Sequence, residues 1–149
     1  MPTAARYSIT IDGYEIASFS ELQGITTEIK TVDYVEGRDD PVRFLNQFAG
    51  SPPATNLPTT YRLRLVRRSG SGGSLSSWQT PLGSTNSLAG RKKCVLAVND
   101  SQSKPVARYY LENAWPQKIQ YMPGFAAQGG NTVAMETVTI ACESISLVR

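Results

Sequence analysis

Tyr7, Ile9 and Ile11 alternate with Ser8 and Thr10, the period of two that turns one face of a strand inward and the other outward. Asp12-Gly13 follows, and the alternation resumes at Tyr14 and Ile16. Residues 7–16 therefore read as a hairpin closed by a two-residue turn. Residues 25–35 mix Thr27, Ile29, Val32 and Tyr34 with charged positions and read as one long strand rich in β-branched side chains. In residues 60–66 the two faces separate, with Tyr61, Leu63 and Leu65 on one and Arg62, Arg64 and Val66 on the other. Three more strands are expected over residues 93–98, 105–111 and 132–148. In the last of these, Glu136, Val138, Ile140 and Cys142 form the more apolar set and Met135, Thr137, Thr139 and Ala141 the other, and the alternation allows either to face the core.

Two stretches break the pattern. Residues 36–60 begin with a charged turn, Glu36-Gly-Arg-Asp-Asp-Pro41, and carry Pro52, Pro53 and Pro58, which can continue neither a helix nor a central strand. A protruding connection of that length is a functional candidate. Residues 69–77 are a Gly/Ser-rich connector, and only residues 75–79 leave room for a helical turn or two before Pro81. The expected fold is mainly β: an antiparallel β-barrel or sandwich with one short helix and a long protruding charged loop. At 149 residues the chain is read as one domain spanning 1–149.

The net charge of +3 conceals a division. Residues 1–40 hold eight acids and three bases, residues 41–99 eight bases and no acid, and residues 100–149 four of each. A molecule with one acidic and one basic region suits either a polyanion or another copy of itself. Arg62, Arg64, Arg67, Arg68, Arg91 and Lys92 form the candidate basic face. A single-stranded nucleic-acid-binding barrel would use Arg62, Arg64, Arg91 and Lys92, but such barrels add aromatic platforms to the charge, and alternation puts Tyr61 on the opposite face. A solvated face or a subunit interface is the preferred reading.

The chain has no histidine, which excludes Ser-His-Asp and Cys-His triads and every imidazole-bound metal site. A Ser-Lys hydrolase remains formally possible, but no G-x-S-x-G elbow is present. Adjacent Asp39 and Asp40 point apart in an extended segment and suit a solvated turn better than an acid/base couple. Cys94 and Cys142 sit in apolar strand contexts and read as core residues. No cofactor and no enzymatic activity are expected. The start MPTAARYSIT shows no leader, and a reducing cytoplasm is the expected compartment.

Several segments resemble one family. Ile11-Asp-Gly13, Ala17-Ser-Phe-Ser-Glu-Leu-Gln-Gly24, Val32-Asp-Tyr-Val-Glu-Gly37 and Asp40-Pro-Val-Arg43, then Pro105-Val-Ala-Arg108, Asn113-Ala-Trp-Pro116 and Glu136 heading the last strand, occur in that order. They are similar to the tail-tube proteins of contractile-tailed phages and phage-like contractile injection systems, themselves akin to the haemolysin-coregulated protein of type VI secretion. The resemblance implies six-membered rings stacked head to tail into a tube, with sheath and baseplate or hub proteins as partners and DNA or effector proteins as cargo in the lumen. It implies assembly in the bacterial cytoplasm into a virion tail or an injection particle. It places Glu36, Arg38, Asp39, Asp40 and Arg43 in the connection that reaches a neighbouring ring. The middle segment is shorter in helix and the loop before residue 60 richer in proline than is usual there, so a tube-initiating ring at the baseplate end stands as the alternative.

Overall fold

A computed structural model of the chain describes residues 6–11, 13–49, 60–68, 92–102, 104–122 and 134–148. The expected basic residue Arg91, the Gly/Ser connector, the expected helix at 75–79 and the proline-rich stretch 50–59 lie outside the described residues.

Among the described residues the elements are β1 (Arg6–Ile11), β2 (Tyr14–Phe19), β3 (Glu21–Thr26), β4 (Thr31–Asp33), α1 (Pro41–Asn46), β5 (Tyr61–Arg68), β6 (Lys92–Asn99), β7 (Pro105–Met122), β8 (Met135–Cys142) and β9 (Ser144–Leu147). The strands hydrogen-bond in the order β2-β1-β6-β7-β8-β5-β3-β4, with β9 paired to β7, and every pairing is antiparallel. No ladder among the described residues joins β2 to β4, so the sheet bends over itself without closing.

The bends have identifiable causes. β7 pairs with β6 through residues 105–114 and with β8 through residues 115–122, so one strand serves both layers. At the change of partner Asn113 adopts φ 50°, a left-handed conformation that Asn tolerates better than most side chains. Its amide donates to the Glu143 carboxylate, and the Glu143 backbone N–H donates to Glu112 O at 2.9 Å. Glu143 separates β8 from β9, so both neighbouring strands turn at one corner. The Asn-Ala-Trp-Pro segment is thus a bend in a continuous strand. At the other corner only Ser20 separates β2 from β3, and its N–H donates to Val66 O at 2.9 Å.

The hairpin expected at residues 7–16 forms, with Ile11 opposite Tyr14 and Gly13 at φ 84°. The single strand expected over 25–35 does not. Thr27 stops it: its N–H reaches Lys30 O at 2.7 Å, and its hydroxyl accepts from the Ile29 and Lys30 amides at 3.3 and 3.1 Å. A side chain that bonds its own backbone in this way offers the chain a turn in place of a ladder. The segment folds back as β4 against β3.

Both layers bury one face in a common core: Tyr7, Ile9, Leu96, Val98, Tyr109 and Leu111 from the first, Leu22, Ile25, Leu63, Leu65, Val138 and Ile140 from the second. The more apolar set of the last strand is the inward one. Gly24 sits where β3, β4 and β5 converge, and a Cβ there would stand 2.7 Å from Val32 O and 3.1 Å from both Arg64 Nη2 and Asp33 Oδ1. Gly24→Ala should therefore destabilise the fold by about 1–3 kcal/mol. Urea unfolding measures this, and faster exchange of the Ile25 and Tyr34 amides would localise the damage.

Candidate assembly surface

The charged connection is half structured. Residues 36–40 make a tight turn with Gly37 at φ 85°, a conformation open to glycine and unfavourable for most residues. The Asp39 carboxylate accepts the Val35 amide at 2.9 Å, and the Asp39 amide returns to Val35 O at 2.9 Å. Asp40 caps α1, its Oδ1 accepting the Val42 amide at 3.0 Å, and Pro41 opens the first turn. Here the structure corrects part of the reading of residues 36–60 as an irregular protruding connection, since Pro41–Asn46 is a helix. Asp-Pro is both a turn signal and a helix-start signal, and the apolar spacing of Phe44, Leu45 and Phe48 decides for the helix.

Aromatic contacts hold this unit against the body. Tyr34, Phe44, Phe48 and Tyr61 meet edge to face in succession, with ring centroids 5.4, 5.7 and 6.3 Å apart. From the opposite layer the Tyr109 hydroxyl bonds Val42 O at 3.2 Å and Asn46 Oδ1 at 2.8 Å. Burial, and then the nearby Asp40 charge, push the Tyr109 phenol up to about 12. Burial raises Tyr34 as well, with Glu36, Asp39 and Asp40 adding to it. Glu36, Arg38, Asp40 and Arg43 are exposed and Asp39 is half-buried. Thus the five expected interface residues do lie together: Asp39 is held in its own turn, Asp40 caps α1 while staying exposed, and Glu36, Arg38, Asp40 and Arg43 are the charges on display.

The expected basic face is not one surface. Arg64 Nη2 meets Asp33 Oδ1 at 2.7 Å. Arg62 lies 3.7 Å from Glu28 and bonds Gln117 Oε1 through Nε at 3.0 Å. The Glu28 carboxylate is held below its ordinary range first by its own backbone amide, against the opposing effect of burial, with the Thr60 amide and Arg62 lowering it further. Arg67 is a correction: it continues the inward series Leu63, Leu65 and is 6% exposed. It forms a two-pronged pair with Glu136, at 3.1 Å (Nε to Oε2) and 3.5 Å (Nη2 to Oε1), with its guanidinium 5.6 Å from the Phe19 ring centroid. Arg68 is exposed at the end of β5, and the Lys92 backbone opens β6.

The sequence reading missed the acidic partners Glu28 and Asp33, and their signal was weak. A turn at 27–30 is needed to bring β4 beside β3, and without it neither acid is placed near β5. Glu28 and Asp33 beside Arg62 and Arg64 weaken the positive field that a nucleic-acid surface draws on. Burial pushes the Cys94 thiol up to about 12 and also raises Cys142, so both stay protonated at neutral pH, as suits packing residues. Among the described residues no group of His, Cys, Asp or Glu is arranged to hold a metal ion, and no helix is long and apolar enough to cross a membrane.

Comparison with known proteins adds to this geometry. No curated protein sequence matches the chain. Among solved structures, the tube-terminating cap of the anti-feeding prophage is similar at TM-score 0.55 and 14% identity, covering 99% of this chain and 90% of that one. A chain in the sheath-tube complex of the extracellular contractile injection system PVC is similar at TM-score 0.52 and 18% identity, with 99% and 90% covered. A chain of the anti-feeding prophage baseplate gives TM-score 0.52 and 16% identity, over 99% and 94%. At those identities the likeness establishes a shared fold. The sequence profile described as T4-like virus tail tube protein gp19 matches residues 3–146, so nearly the whole chain is accounted for, and the chain belongs to that tail tube family.

Proposed function

We propose that this chain is the repeating subunit of the inner tube of a contractile tail or injection particle. Six copies form a ring, rings stack head to tail inside a sheath and onto a baseplate, and the lumen passes DNA or effector proteins. The particle assembles in the bacterial cytoplasm. The observation that carries the reading is the family match over residues 3–146.

The geometry supports a part that works by shape. A compact body displays a small charged unit, residues 36–43, fixed by aromatic packing from one layer and by Tyr109 from the other. A rigid display loses less entropy on association than a free loop. In the alternative reading as a nucleic-acid-binding barrel, Arg62 and Arg64 would contact phosphates, whereas here both are occupied by acids of the same chain.

Light scattering on the purified protein tests the ring. Six copies of a 16.2 kDa chain give a particle of about 97 kDa, or larger multiples if rings stack. A single species at the subunit mass, unchanged at high protein concentration, would overturn the proposal.

A further inference from the structure

We draw no further inference here: the strongest candidate, the exposed apolar side chains of Ile29 and Val35 just before and just after the edge strand β4, carries no proposal because nothing among the described residues shows what covers them.

Discussion

Glu136→Gln is expected to lower the unfolding free energy by about 3–5 kcal/mol, because it leaves the Arg67 charge buried without its carboxylate. The pair lies almost wholly inside, with side-chain exposures of 8% and 5%. Solvent therefore cannot replace the lost partner as it would at Arg64–Asp33, where the side chains are 39% and 70% exposed and a surface pair contributes about 0–1 kcal/mol. Breaking the pair and replacing the pair are different experiments. Arg67→Met with Glu136→Leu removes both charges and should recover most of the loss, since apolar residues of similar volume often match or exceed a buried ion pair. Urea unfolding of wild type, the single variant and the double variant measures all three. A Glu136→Gln loss under about 1 kcal/mol would mean that the pair is hydrated and that Arg67 is not committed to the core.

The second large effect is expected at Phe44. It is 3% exposed, joins the core, and contacts both Tyr34 and Phe48. Phe44→Ala should cost about 3–5 kcal/mol from lost transfer energy and the cavity left behind. It should also act locally, because α1 has only six residues and is held by packing far more than by its own hydrogen bonds. Amide exchange across residues 35–48 should therefore accelerate more than exchange in β6 or β8. If protection fell evenly over the whole chain, the charged unit would not be an independently anchored element.

Most of the β architecture could be read from period-two alternation, since Leu63 and Leu65, or Val138 and Ile140, have one consistent way to face a core. What could not be read were the places where a side chain competes with the ladder. Thr27 turns the chain by bonding its own backbone, Asn113 bends β7 by taking a left-handed conformation, and Asp40 starts a helix in a stretch that composition marks as loop. The basic region shows the same limit. Alternation separates Arg62 and Arg64 from Leu63 and Leu65, and carried two residues further it also sends Arg67 inward. Yet nothing local names Glu136, 69 residues away, as its partner.

The division of charge along the chain also takes a different meaning in three dimensions. Arg62 with Glu28 and Arg64 with Asp33 join the basic middle to the acidic first third inside one subunit. In the proposed assembly, contacts between copies draw on charges that remain exposed, among them Glu36, Arg38, Asp40 and Arg43 on the α1 unit. Raising the salt concentration should weaken contacts of that kind, since screening at 0.15 M already acts within about 8 Å.

Self-assembly into a tube is the central claim, and electron microscopy of the purified full chain in negative stain tests it most directly. Rings with sixfold symmetry and an open centre, or stacks of such rings, are the predicted result. Dispersed particles of subunit size at high protein concentration, with no rings in any field, would contradict it.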